Sequence, residues 1–135
     1  MKNTNNKIIY ITNIPTPYKI SMLNSLAEKI DNFKVYFMAK SVYIRQWDTL
    51  LLNAKFKYDI LNSFKLTIMK KEWVIFLNFS LLYKIIQSRP NVIIFGPYSQ
   101  PYIFYILLYK LIFNSKIILW NESSHETSDF NNEIV

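Results

Sequence analysis

The chain has 135 residues, 51% of them hydrophobic and 17% aromatic, which excludes a disordered chain and allows one domain with a core. The absence of cysteine excludes disulfides, thiolate nucleophiles and cysteine-based zinc sites. Gly96 is the single glycine, so the sequence has neither a GxGxxG motif nor a P-loop, and a glycine cradle for phosphate is excluded.

The formal net charge of +7 favours an anionic partner, such as phospholipid head groups, a phosphorylated substrate or nucleic acid. Arg45 and Arg89 are the two arginines and the lysines are scattered, so the arginine clusters that read nucleic acids are missing. We therefore expect peripheral contact with an anionic membrane and no nucleic-acid partner. The lack of cysteine and of a secretory signal favours a cytoplasmic location.

The first half of the chain is predicted to alternate between strands and helices. A strand over residues 7–12 leads into a proline-rich turn, where Thr16 can cap a helix and Pro17 suits its first position. This helix runs to about residue 30, with apolar residues at three- and four-residue steps. Two strands, over 34–39 and around 56–61, are separated by a polar loop.

The second half is predicted to contain a helix over residues 72–87, a buried strand over 91–95, an apolar helix over 101–113 and a last strand over 115–120. The prediction over 72–87 rests on apolar residues at helical spacing, namely Trp73, Phe76, Leu77, Leu81 and Ile85. The apolar helix is too short to cross roughly 30 Å of hydrocarbon, and a buried helix is predicted instead.

Strands that are apolar on both faces and separated by helices predict an α/β fold, a Rossmann-like parallel sheet flanked by helices. The carboxyl ends of such strands lie along one edge, where open parallel sheets bind ligands. The sequence ends before the helix expected to cover the last strand. Residues 1–135 are therefore expected to form a single, incomplete domain.

Four segments carry a resemblance to a known family. Pro15-Thr16-Pro17-Tyr18-Lys19 and the helical Leu-Asn-Ser-Leu-Ala are similar to a Pro-x-Pro-Tyr-Arg…Leu-x-x-Leu-Ala opening. Arg45-Gln46-Trp47 is similar to an Arg-x-Trp loop, residues 91–96 to a Pro-Asp-Val-Ile…Gly strand, and residues 117–123 to a strand ending in Trp-x-Glu. In this order they resemble the N-terminal, acceptor-side domain of GT-B-fold glycosyltransferases of retaining family 4, the glycosyltransferase group 1 type.

The resemblance implies half of a GT-B fold that binds a sugar or lipid-linked acceptor. The nucleotide-sugar donor would bind a second domain with a Glu-x7-Glu signature, which this sequence lacks, so that domain is missing or separately encoded. The implied reaction is a retaining sugar transfer in bacterial cell-surface polysaccharide or glycolipid synthesis, without metal or cofactor. The 135 residues alone are expected to be inactive. Ile14 and Pro15 replace family glycines, which points away from contact with donor phosphates.

The candidate substrate-binding residues follow the predicted strands. Lys19, where relatives have arginine, could hold an anionic acceptor such as a lipid-linked diphosphate sugar, or could be an ordinary solvated lysine. Arg45 and Trp47 suit a sugar ring with a phosphate or carboxylate, although Trp47 could equally anchor its loop. Tyr18 could stack on a sugar or pack against the turn. The full set is Pro17, Tyr18, Lys19, Arg45, Trp47 and Tyr98.

Glu122 and His125 are the candidate catalytic residues. Both lie in the loop after the last predicted strand, where a carboxylate or imidazole could contact the acceptor hydroxyl or the donor sugar. Ordinary loop polarity is the alternative. His125 is the only histidine, so a multi-histidine metal site within this chain is excluded, and no metal is predicted.

Two alternatives come from other functional classes. The chain could be a non-catalytic α/β interaction module that partners a separately encoded donor domain. It could also be a small membrane-inserted protein in which residues 73–86 and 103–120 both enter the bilayer.

Overall fold

The computed structural model describes residues 6–39, 53–61, 63–68, 73–96 and 100–120. Within these ranges the chain forms a parallel sheet, an antiparallel hairpin and three helices. In chain order the elements are β1 (Ile8–Thr12), α1 (Pro17–Lys29), β2 (Phe33–Phe37), β3 (Lys57–Ile60), β4 (Phe64–Ile68), β5 (Trp73–Leu77), α2 (Ser80–Ser88), β6 (Val92–Phe95), α3 (Tyr102–Phe113) and β7 (Lys116–Leu119).

The main sheet has five parallel strands in the order β3-β2-β1-β6-β7. β1 is the central strand, and its Tyr10 is aligned with Val35 of β2 on one side and Ile94 of β6 on the other. A parallel sheet with helices packed on it is the predicted α/β, Rossmann-like class, and that prediction is confirmed.

Helices cover both faces of this sheet. Ile9 and Ile11 belong to a buried cluster with residues of α2 and α3, whereas Tyr10 belongs to a second buried cluster with residues of α1. Because successive side chains of a strand point to opposite faces, α2 and α3 cover one face and α1 covers the other. The helical members are Leu81, Ile85, Ile106 and Tyr109 in the first cluster and Ile20 and Leu23 in the second.

The helix predicted over residues 72–87 is wrong in its first part. Residues 73–77 form the strand β5, which pairs antiparallel with β4. β4 lies within residues 62–71, where no element was predicted. The β5 sequence WVIFL is apolar at every position and rich in β-branched and aromatic residues, so it fits a strand as well as a helical face. Asn78 then ends the strand, because its Oδ1 accepts a hydrogen bond from the Ser80 backbone N–H at 2.9 Å, and α2 begins at Ser80.

The other predicted strands and helices are confirmed to within two residues at each end. The start of α1 is also confirmed: Thr16 is the N-cap, its Oγ1 accepts from the Lys19 backbone N–H at 3.2 Å, and Pro17 is the first helical residue. Among the described residues, no helix has the length and apolar character needed to cross a membrane. The segments 73–86 and 103–120 of the membrane-inserted alternative each contain a helix and a strand.

Candidate functional site

The candidate site lies where β1 and β6 end side by side. β2 and β3 lie on one side of β1, whereas β6 returns to its other side, so the direction of strand order reverses between β1 and β6. In open parallel sheets, ligands bind at such a reversal, outside the carboxyl ends of the strands. Thr12 ends β1, Asn13 follows it, and Gly96 follows β6.

Backbone pairing continues past the ends of these strands and fixes the edge. The Met38 N–H donates to the Thr12 carbonyl oxygen and the Ala39 N–H donates to the Asn13 carbonyl oxygen, both at 2.9 Å. On the other side, the Gly96 N–H donates to the Ile11 carbonyl oxygen at 3.2 Å. Backbone hydrogen bonds from both neighbouring strands therefore fix the position of the chain at Thr12 and Asn13.

Lys19 reaches back from the first turn of α1 to this edge. Its side chain is only 8% exposed, and its Nζ donates a hydrogen bond to Thr12 Oγ1 at 2.6 Å. The alternative of a solvated lysine is therefore wrong. Thr12 is fully buried, so the lysine and threonine bring a charge and a hydroxyl together inside the fold, at the end of the central strand.

The surroundings of the Lys19 ammonium favour the binding of an anion. A buried ammonium loses hydration, and the positive end of the helix dipole at the N-terminus of α1 adds to the cost. The first turn of α1 contains no acidic residue. An anion bound here would interact favourably with both the ammonium and the helix dipole.

The backbone of the turn offers a ligand few additional donors. Pro17 has no N–H, the Lys19 N–H is bound to Thr16 Oγ1, and the Ile20 N–H donates to the Thr16 carbonyl oxygen at 3.0 Å. Three of the first four residues of α1 therefore have no backbone N–H available, and the Lys19 ammonium is the main donor of this turn. Ile14 and Pro15, which precede this turn, are both buried.

Tyr102 closes the other side of the edge, from the start of α3. Its hydroxyl donates to the Gly96 carbonyl oxygen at 2.9 Å and lies 3.3 Å from Asn13 Oδ1. Burial, and to a lesser extent the neighbouring Tyr10, raises the pKa of Tyr102 far above its ordinary value. Tyr102 is therefore a neutral phenol that positions Asn13 and the end of β6, and it is unsuited to act as a base.

Gly96 allows the ends of β6 and β7 to approach closely. A Cβ at this position would lie 2.3 Å from the Trp120 carbonyl oxygen, which is far inside the distance that real Cβ atoms keep. The Trp120 N–H also donates to the Phe95 carbonyl oxygen at 2.8 Å. Only glycine fits here, so the single glycine of the chain sets the backbone geometry beside the site.

The predicted site residues fall into two groups. Pro17, Tyr18 and Lys19 lie in the first turn of α1; Pro17 is exposed, and Tyr18 is 58% exposed with its hydroxyl 3.9 Å from Met22 Sδ. Tyr18 therefore does not pack in the turn as a half-buried residue. The others lie outside the described residues, namely Arg45, Trp47, Tyr98, Glu122 and His125.

Sequence reasoning missed Thr12 and Tyr102, and it placed Asn13 at the ligand edge only as part of the turn, without a role for its side chain. A polar threonine that ends an apolar strand was a usable signal for Thr12, because only the last residues of a buried parallel strand reach the ligand edge. Asn13 directly follows Thr12 and is likewise a polar residue at the end of an apolar strand. Tyr102 gave no signal, because it stands in an almost wholly apolar helix and its hydroxyl is committed only through tertiary contacts.

The described residues bring together no group of three or more histidine, cysteine or acidic side chains that could hold a metal ion. Among the described residues, the edge offers one ammonium and hydroxyls as donors and the Asn13 amide oxygen as an acceptor, a set that suits an anion with hydroxyl groups better than a cation.

No protein-family model matches the chain, and neither the curated proteins nor the solved structures contain a match to it.

Proposed function

We propose that the chain is the acceptor-binding domain, or an N-terminal fragment, of a retaining glycosyltransferase that uses a nucleotide-sugar donor. The parent reaction would serve bacterial cell-surface polysaccharide or glycolipid synthesis at the cytoplasmic face of the plasma membrane. Support comes from three sources: the α/β sheet with its strand reversal, the ordered set of sequence motifs, and the chemistry around Lys19.

The buried Lys19 ammonium at the end of β1 carries the proposal. Its position favours an anionic group, and the Thr12 hydroxyl beside it, 2.6 Å from Nζ, orients it. A lipid-linked diphosphate sugar would present such a group, with the diphosphate at Lys19 and the sugar beside Asn13. Arg45, Trp47, Tyr98 and Tyr18 would complete the acceptor site, and Glu122 and His125 would contact the reacting groups.

The donor nucleotide is proposed to bind another domain. In the part of the crevice that the structure describes there is one ammonium, and the sequence has no glycine-rich loop for a nucleotide diphosphate, so this chain alone is expected to bind acceptor without transferring sugar. Transfer would need the complete enzyme or a separately encoded donor domain.

Acceptor binding is tested by titrating the full chain with short-chain polyprenyl diphosphate sugars in a calorimeter. Lys19→Met should weaken binding by about ten- to a hundredfold, because a charge-assisted hydrogen bond is lost. Lys29→Met is the matched control, since Lys29 is exposed in the last turn of the same helix and should leave affinity unchanged. Equal affinities for wild type and Lys19→Met would overturn the assignment of the anion to this site.

Sugar transfer itself is tested in the complete or reconstituted enzyme, with Glu122→Ala and Arg45→Ala beside the wild type. Reduced transfer by each variant is expected. Unchanged rates would remove both residues from the site, and a lack of transfer with any donor domain would favour a non-catalytic interaction module.

A further inference from the structure

We infer that the outer surface of α2 and α3 is a docking surface for a bilayer that contains anionic phospholipid. The inference deepens the peripheral membrane contact included in the proposed function and rests on that part of it alone. It requires neither sugar transfer nor acceptor binding.

α3 exposes an almost purely apolar surface. Six of its residues are exposed, and five of these are apolar, with Leu111 84% exposed and Phe104 70% exposed. Phe104, Leu107, Leu108 and Leu111 recur at three- and four-residue steps and therefore share one face of the helix. The buried residues Tyr102, Ile106 and Tyr109 lie on the opposite side, against the sheet.

α2 extends this surface. Phe79, which precedes the helix, is 80% exposed, and Tyr83 and Ile86 follow it at helical spacing with exposed side chains. The ring of Phe79 lies 6.1 Å from the ring of Tyr105 in α3, so the exposed groups of the two helices are neighbours. We call this surface the apolar helix face; it comprises Phe79, Tyr83, Ile86, Phe104, Leu107, Leu108, Leu111 and Ile112.

The sequence segment that forms the apolar helix face carries charges of one sign, although Asp59 of β3 pairs with Lys84 of α2 at 3.5 Å. Between Glu72 and Glu122 the sequence contains no aspartate or glutamate, although the chain has nine acidic residues in all. The same interval carries four cations, Lys84, Arg89, Lys110 and Lys116. Lys110 is the one polar residue among the exposed residues of α3.

This combination matches the chemistry of a lipid surface. Aromatic and aliphatic side chains enter the boundary between head groups and acyl chains, and lysine and arginine attract anionic head groups. A protein partner would instead be expected to meet a rim of polar groups that form hydrogen bonds, and the exposed side of α3 offers only Lys110. Charge complementarity therefore favours anionic lipid as the occupant.

α3 can lie in the plane of the bilayer surface but cannot cross it. Its 12 residues extend about 18 Å, against roughly 30 Å of hydrocarbon. The helix begins at Tyr102, whose hydroxyl contacts Gly96 at the candidate site, so one end of the apolar helix face lies next to the sheet edge. A lipid-linked acceptor could thus enter the crevice while its chain stays in the membrane.

The test is cosedimentation of the full chain with vesicles of phosphatidylcholine alone or mixed with phosphatidylglycerol. Wild type should bind the mixed vesicles at least about tenfold more strongly than the neutral ones, and added salt should weaken this binding. Leu108→Glu combined with Leu111→Glu should lower binding to the mixed vesicles by about tenfold or more. Unchanged binding by this double variant would overturn the inference.

Two controls separate the apolar helix face from general charge. Ser25→Glu adds negative charge on exposed α1, across the sheet, and should change binding much less than the double variant. Lys110→Gln should reduce the preference for anionic vesicles, whereas Lys29→Gln on α1 should reduce it less. Circular dichroism checks the fold of each variant, and native folding is expected because the substituted side chains are exposed.

Other outcomes are equally decisive. If the wild type binds neither vesicle, or if sedimentation equilibrium shows self-association that Leu108→Glu and Leu111→Glu abolish, the surface is not a lipid-docking surface. Lys19→Met should bind vesicles as wild type does. Failure of acceptor binding with intact vesicle binding would refute the proposed acceptor site alone, and the reverse would refute the lipid inference alone.

Discussion

Lys19 combines burial with positive charge, and lysine is rarely so buried without compensating partners. The bond to Thr12 Oγ1 compensates part of this cost. The contact between Lys19 and Thr12 therefore connects the stability of the domain to the proposed anion site.

Thr12→Val is predicted to lower the free energy of unfolding by about 1–3 kcal/mol, because the buried ammonium loses an acceptor while the side-chain volume is preserved. Thr12→Ser keeps the hydroxyl and should cost clearly less. The measurement is urea denaturation of each variant.

A double-mutant cycle isolates the contact itself. In the Lys19→Met background no ammonium is present, so Thr12→Val should cost much less than in the wild type. Equal costs in both backgrounds would show that the hydrogen bond between Lys19 and Thr12 contributes nothing.

At the residue scale, the sequence predicts what depends on neighbouring positions. Thr16 and Pro17 mark the start of α1 through local capping rules, and these were read correctly. The burial of Lys19 depends on Thr12 seven positions earlier, across a turn whose geometry no local rule supplies. The pairing of Tyr102 with Gly96 depends on how α3 packs after β6, which pattern alone does not determine.

At the element scale, an amide side chain and a buried aromatic ring attach the β4–β5 hairpin to the rest of the fold. Gln100 Oε1 accepts a hydrogen bond from the Phe76 backbone N–H at 3.0 Å, in a buried position just before α3. Phe76 itself lies in the buried cluster with residues of α2 and α3. The hairpin is thus attached to the helical layer and does not join the main sheet.

Gln100→Leu is predicted to destabilise the hairpin, because the buried Phe76 N–H loses its acceptor at a cost of about 1–3 kcal/mol. Hydrogen exchange at the Phe76 amide should become faster than in wild type. Gln87→Leu serves as the control, since Gln87 is exposed in α2. Exchange at Phe76 that is equally slow in both variants would contradict the role of Gln100.

The hairpin also shows why element type is harder to predict than element position. β1, β2 and β6 are bounded by turn residues and are too short for helices, so their type followed from length and composition. β5 and α2 form one apolar stretch interrupted only by Asn78, and both periodicities fit its first part. The antiparallel pairing of β5 with β4, a strand earlier in the sequence, decides between a strand and a helix.

At the scale of the whole molecule, Asp59 connects three elements through ion pairs. Its Oδ2 lies 2.8 Å from Lys34 Nζ of β2 and 3.5 Å from Lys84 Nζ of α2, while Asp59 itself belongs to β3. The hydrogen bond from Lys34 is the main cause that lowers the pKa of Asp59, against the opposing effect of burial. The same hydrogen bond raises the pKa of Lys34.

This network should make stability fall slightly in acid. A lowered pKa in the folded state gives stability that is present above the unfolded pKa, about 3.9, and lost as pH falls through the folded value. The side chains are partly exposed, so the contribution should stay below about 1 kcal/mol.

Asp59→Asn is expected to be less stable than wild type at neutral pH and equally stable once the wild-type carboxyl is protonated. Thermal denaturation across this pH range, with Glu28→Gln in α1 as the exposed control, measures the difference. A gap between wild type and Asp59→Asn that stays constant with pH would contradict the assignment.

The strand order also has a consequence for how the chain is made. β1 lies at the centre of the sheet, yet its neighbour β6 arrives late: the Lys7 N–H donates to Asn91 Oδ1 across 84 residues of sequence. During synthesis, one edge of β1 has no strand to pair with until residue 95 has left the ribosome. Non-local pairing of this kind slows folding, so the nascent chain should depend on chaperones to protect that edge until β6 is available.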